Sequence, residues 1–322
     1  MPPVASVGSP LLWGGFMLFV FAMLALDLGV FHRKSHTVSF KEAAIWSVVW
    51  VVLSLGIGGW IYAAHGAAKG TEFLTGYVIE KALSVDNIFV FAVIFATFGI
   101  PAAYQHRVLF WGIFGALVLR AAFIMAGGAF LARFHWAIYV FGGILILTGL
   151  KLLWQKDMTP DPAGNLFVRL FKRVFPTTTK LDGDRFFTRE NGRRVATPLL
   201  IALVAVEATD VVFAVDSVPA IFAVTQDQFI VFTSNICAIL GLRSMYFLLG
   251  GMMDRFRYLK VGLALILVFV GGKMALMEVY KIPVGVSLGV ICGILAAAVG
   301  GSLLRPVPAA AAAATTPPPG SA

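Results

Sequence analysis

Charged residues are what this sequence has least of: Asp, Glu, Lys and Arg make up 13% of its 322 residues, where a soluble domain carries about 25%. That scarcity excludes an ordinary soluble domain. Cysteine is nearly absent too. The two present, Cys237 and Cys292, stand in apolar runs with no CxxC or His-rich companion. Neither a disulfide framework nor a thiolate metal site is supported, and both read as small core residues. The chain has no nucleotide-binding P-loop, which argues against direct drive by ATP. No positively charged segment precedes the first apolar run, from Leu11, so that run reads as a retained helix rather than a cleaved secretory signal.

What fills the chain instead is apolar. A hydrophobic share of 59% and a mean hydropathy of +0.89 mark an all-α polytopic membrane protein. Runs of about 20 apolar residues suffice to cross a bilayer core of roughly 30 Å. Nine such spans are predicted, over 11–31, 42–64, 72–97, 106–128, 134–154, 196–223, 228–250, 258–279 and 283–304. The net charge of +9 could suggest nucleic acid, but the basic residues lie mostly between the apolar runs, so topology accounts for them and no nucleic-acid partner is expected. With the segments before the second, fourth, sixth and eighth spans and the tail in the cytoplasm, that side holds eighteen Lys and Arg; the other holds Lys69, Arg133 and Lys281. The positive-inside rule then sets the N-terminus outside and the C-terminus inside an inner (plasma) membrane.

Three pairs of segments recur in the same order: SVDNIFVF with AVDSVPAIF, LVLRAAFIMAGG with LGLRSMYFLLGG, and GGILILTGLKLL with ALILVFVGGKMAL. Each unit holds three spans, an odd number, so the two enter the membrane from opposite sides. That is an inverted-topology repeat, with a site expected near the midplane between the units. The chain divides accordingly into two N-terminal helices (1–71), a first three-helix repeat (72–154), a cytoplasmic loop (155–195), a second repeat (196–279), a ninth helix (280–305) and a low-complexity tail (306–322). Within the loop, NLFVRLFKRVF over 165–175 reads as an interfacial amphipathic helix. RFFTRENGRRVATP reads as a hairpin turning at Asn191-Gly192.

The stretch 203–224 carries Glu207, Asp210 and Asp216, and 76–95 repeats the arrangement with Glu80, Asp86 and Asn87. An ionised group near the bilayer centre costs roughly 2.5–3.5 kcal/mol on insertion scales, so such groups face protein, water or a cation. Helical spacing puts Glu207, Asp210 and Ser217 on one stripe with Asp216 beside it, and Glu80, Ser84 and Asn87 on one stripe with Asp86 beside it. Pro219 lacks a backbone donor and is expected to open its helix and free carbonyls as further ligands. An all-oxygen set without His or Cys suits a hard divalent cation such as manganese, magnesium or calcium.

The competing reading makes these acids structural, paired within the bundle to Arg120, Arg243 and Lys81. Arg120 and Arg243 are equivalent in the repeat and read as supports that hold a carboxylate or helix-end carbonyls. Gly127-Gly128 and Gly250-Gly251 read as close-packing positions. Asp27, near the inner end of the first helix, is an entry ligand or, by preference, an ordinary interfacial carboxylate. His32 and His36 read as surface residues of a basic loop.

Four segments, EKALSVDNIFVF, EATDVVFAVDSVPAIFAVT, FIVFTSNICAILGLRSMYFLL and FFTRENGRRVATPL, resemble the integral-membrane TerC family, in particular its Alx-like branch. The similarity runs from the first helix to about Arg305. It implies links to tellurium resistance, to the alkaline-pH response and to manganese export, with Glu80, Asp86 and Asn87 as the first acidic motif and Glu207, Asp210 and Asp216 as the second. The expected function is proton-coupled export of divalent metal, with the bilayer, the metal and protons as partners, no cofactor and no enzymatic reaction. The alternative is a non-transporting scaffold or assembly factor acting through the cytoplasmic loop. An intramembrane aspartyl protease is disfavoured, because the second acids sit in SVDN and AVDS and not in a GxGD motif.

Overall fold

The computed structural model describes residues 6–31, 39–134, 136–154, 162–190, 192–249, 258–277 and 279–304, without the side chains of 27–31 and 132. His32, His36, Asn191, Gly250-Gly251, the tail from 306 and the side chain of Asp27 lie outside the described residues. The described chain is a helical bundle with one two-stranded hairpin. Its helices are α1 (Pro10–Phe31), α2 (Phe40–His65), α3 (Ala67–Thr97), α4 (Ala102–Arg133), α5 (Ala137–Trp154), α6 (Leu166–Val174), α7 (Pro198–Phe222), α8 (Gln228–Leu240), α9 (Leu242–Leu249), α10 (Leu259–Ala275) and α11 (Val284–Leu304).

On length and composition, α2, α4, α5, α7 and α11 can each cross a membrane, and the α8–α9 pair, bent by 40°, makes a sixth candidate. The helix α3 is long, at 31 residues, but carries Lys69, Glu72, Glu80, Lys81 and Asp86; α10 has 17 residues. Large apolar side chains such as Leu18, Val48, Val118 and Leu147 point out of the bundle, as lipid-facing positions do.

Two features depart from the sequence expectation. Pro219 does not open its helix: α7 continues through it to Phe222. The missing N–H is tolerated because it falls in the last turn, where the chain is about to leave the helix. The interruption lies instead in the span predicted over 228–250, at Gly241 between α8 and α9. There Lys81 of α3 donates from Nζ to the Ala238 carbonyl (3.2 Å), placing a cation at a helix C-terminus whose last carbonyls lack intrahelical partners. Lys81 therefore serves a backbone end and not a carboxylate.

The central packing is reciprocal. The helix α3 lies against α8 while α4 lies against α7, and α5 pairs with α10. On that last seam the backbones touch: a Cβ on Gly142 would meet the Gly271 carbonyl, and one on Gly149 would meet the Ala264 carbonyl. The loop between α5 and α7 carries α6, whose N-terminus is capped by Asn165 accepting from the Phe167 N–H (2.9 Å). It also carries strands β1 (Phe187–Glu190) and β2 (Arg193–Ala196), paired antiparallel with Glu190 opposite Arg193. Gly192, at φ +75°, supplies the left-handed conformation that this two-residue turn demands. One consequence of the seam is testable. Gly142→Leu and Gly271→Leu should each lower the thermal midpoint of the detergent-solubilised protein, whereas Gly143→Leu and Gly272→Leu, at positions with open space, should leave it unchanged.

Candidate functional site

The helices α3 and α7 run antiparallel through the centre of the bundle, and three contacts fix their register. Thr225 donates to Glu72 (2.6 Å), Gly76 lies against Ile221, and Glu80 and Ser217 meet at the same nitrogen of Arg120. Carried along both helices at about 1.5 Å per residue, that register keeps the Cα atoms of Glu80, Asp86, Asp210 and Asp216 within a band about 10 Å thick.

Arg120 of α4 occupies the middle of this band and is 1% exposed. Its Nη1 donates to Glu80 Oε1 and to Ser217 Oγ (3.0 Å). Its Nη2 donates to Asp210 Oδ1 (3.0 Å), with Nε 3.4 Å from Oδ2, so the guanidinium grips that carboxylate on both oxygens. Asn235 of α8 completes the cluster: its Nδ2 donates to Glu80 Oε2 (2.9 Å), while its Oδ1 lies 3.5 Å from Arg120 Nη1. Four helices thus converge on one guanidinium and two carboxyl groups in a fully buried place.

The other anticipated residues surround this cluster without joining its hydrogen bonds. Asp216, half-buried, accepts from Thr148 of α5 (3.1 Å), and the charge of Lys151 acts on it. Asp86 is likewise half-buried, with the charge of Lys260 acting on it. Glu207 lies in the space left by Gly115 of α4, where any Cβ would collide with its carboxylate, and its Oε2 is buried without a partner. Ser84 Oγ and Asn87 Oδ1, on the Glu80 stripe, are also buried without partners. Arg243 is buried on α9. Among the described residues, no group of three or more His, Cys, Asp and Glu side chains is placed to hold a metal ion. The oxygens of Glu80, Asp210, Ser217, Asn235, Ser84 and Asn87 are those that could turn toward a cation here.

Sequence reasoning left out Asn235 and Thr148. The signal for Asn235 was available: an amide in the middle of the apolar run from Phe229 to Leu240 needs a partner as much as an acid does. A second polar knot also went unread. Asp227, fully buried, caps α8 by accepting from the Phe229 N–H, accepts from Ser6 Oγ and the Val7 N–H, and lies 3.4 Å from Lys69, which pairs with Glu72.

The family model for the integral membrane protein TerC family matches residues 65–306, which span both acidic motifs, the arginine and the hairpin. The chain belongs to the TerC family. Among its relatives, a membrane protein of Myxococcus xanthus is 60% identical over 95% of this chain and 96% of its own length. Proteins of Photorhabdus laumondii and of Escherichia coli K12, each named a proposed membrane-bound redox modulator, Alx, are 50% and 48% identical; each alignment covers 90% of this chain and 94% and 93% of the relative. No solved structure matches.

Within this TerC-family bundle, the Asn235 amide donates to Glu80 Oε2 at 2.9 Å. Asn235→Leu should cost about 1.5–3 kcal/mol, the worth of a hydrogen bond to a charged group. The check is a fall in the thermal midpoint of the purified protein larger than that of Ser217→Ala.

Proposed function

We propose that this chain is a proton-coupled exporter of divalent cations, with manganese as the cargo that the family resemblance names. The observation that carries this reading is the band of four carboxylates on two antiparallel helices in the core of a membrane protein. A buried ion pair contributes little net stability compared with apolar packing, so acids retained at this depth point to a use beyond folding. Two of them, Glu80 and Asp210, share Arg120; Asp86 and Asp216 flank that pair, with no arginine bound to them among the described residues.

The reciprocal packing supports an inverted repeat. A two-fold relation that exchanges α3 with α7, and α4 with the α8–α9 pair, turns the α3–α8 contact into the α7–α4 contact, and both are present. With Lys151 set on Lys273, Gly142 corresponds to Ala264 and Gly149 to Gly271; the seam joins Gly142 to Gly271 and Gly149 to Ala264, as such an exchange requires. Alternating access by one repeat moving against the other around a fixed site fits this design.

The need for coupling follows from energetics. Moving two positive charges outward against about 150 mV costs on the order of 7 kcal/mol, at roughly 2.3 kcal/mol per charge per 100 mV. A passive pore would run inward. Carboxylates that bind either the metal or protons supply the coupling, and the positive-inside charge bias sets the N-terminus outside the plasma membrane. The relatives carry a redox-modulator name; in this chain both cysteines are free, Cys237 buried on α8 and Cys292 exposed on α11.

The test is manganese uptake into everted vesicles under an imposed proton gradient. Uptake in the intact protein should fall to background in Asp216→Asn and Asp86→Asn while both variants remain in the membrane. Equal uptake in all three would refute the reading. Background uptake in all three would favour the scaffold reading, for which the exposed Arg193 and Arg194 of the hairpin are the available surface.

A further inference from the structure

Arg120 stands where an exporter of cations would need its cargo. It takes up both oxygens of Asp210, one of Glu80 and the Ser217 hydroxyl, and so consumes the ligands that a metal would use. At the same time Ser84 Oγ and Asn87 Oδ1, wholly buried on the Glu80 stripe, have no partner. The Glu80 stripe of α3 therefore carries acceptor oxygens beyond those the guanidinium engages.

We propose that Arg120 is a tethered stand-in for the cargo and the residue that sets valence selectivity: only an ion bringing two charges displaces it from Glu80 and Asp210. The inference rests on the divalent-export reading. Its physics is a comparison of charges. A monovalent ion that replaced the guanidinium would bring the same single charge, without the five fixed N–H donors that match carboxylate geometry. It has nothing to gain. A divalent ion doubles the charge facing the two carboxylates and recruits the unpartnered Ser84 and Asn87 oxygens, and hard oxygen ligands suit it. When the cargo leaves, the arginine returns, so the carboxylates are never left unpaired in the low-dielectric core. The arginine is carried on α4 and its acids on α3 and α7, so exchange of guanidinium for metal also changes what holds these helices together.

The experiment measures thermal stability of the purified full chain in detergent, with manganese or sodium as probes and choline replacing sodium at constant ionic strength. The intact protein should be stabilised by manganese and indifferent to sodium. Arg120→Gln should bind manganese about tenfold more tightly in choline, with sodium now stabilising the protein and competing with manganese. Because Arg120→Gln removes the only described cation bonded to these acids, Glu80→Gln/Arg120→Gln is measured alongside it. That pair keeps the net charge of the intact cluster without the arginine, and it too should become sodium-sensitive. Manganese binding with sodium-indifferent variants would overturn the role assigned to Arg120 and leave the export reading standing. Manganese that stabilises neither the intact protein nor the variants would overturn both.

Discussion

A guanidinium inside a lipid-spanning bundle must have acceptors, and the need to supply them organises this protein. Arg120 does not shed its charge, and its side chain is 1% exposed. It draws Glu80 from α3, Asp210 and Ser217 from α7 and Asn235 from α8 into one place. Removing one partner of such a buried pair costs about 3–5 kcal/mol, a large share of the marginal stability of any fold. The glycines of α4 follow from the same requirement. Gly112 lies against Val206 and Gly115 against Glu207, so α4 can approach α7 closely enough for the arginine to grip both oxygens of Asp210.

The outer helices hold that core in register. On α2, Ser54 donates to the Trp50 and Cys237 carbonyls, which ties α2 to the span that breaks at Gly241. Trp13 and Phe16 of α1 pack on Phe229 and Phe232 of α8. Asp227 fixes the first turn of α8 and the chain at Ser6 and Val7 together. The span that contributes Asn235 is thereby anchored at its start by Asp227 and at its break by Lys81.

Periodicity carried most of what the sequence could reveal. A 3.6-residue repeat and the cost of intramembrane charge together single out Glu80, Asp210 and their stripes, because both depend only on spacing and composition. The partners of Arg120 depend on which helix faces which, and spacing along one helix says nothing of that. Proline misled for a related reason. Its effect is set by its distance from the end of the helix, and Pro219 is three residues from the end of α7. The break at Gly241 was hidden because Leu240 and Leu242 on either side keep the segment apolar, so hydropathy runs straight across the bend that Lys81 meets at the Ala238 carbonyl. The cargo proposed above came from the TerC resemblance, since no spacing encodes it.

Glu207 illustrates how chemistry on one helix is written into another. Its carboxylate fills the volume that the absent side chain of Gly115 leaves on α4. Neither residue makes sense alone: a larger residue at 115 excludes the acid, and a small residue at 207 leaves a void beside a bare backbone. The two positions share one volume, so the size of the side chain at 115 sets the size that fits at 207 on the facing helix.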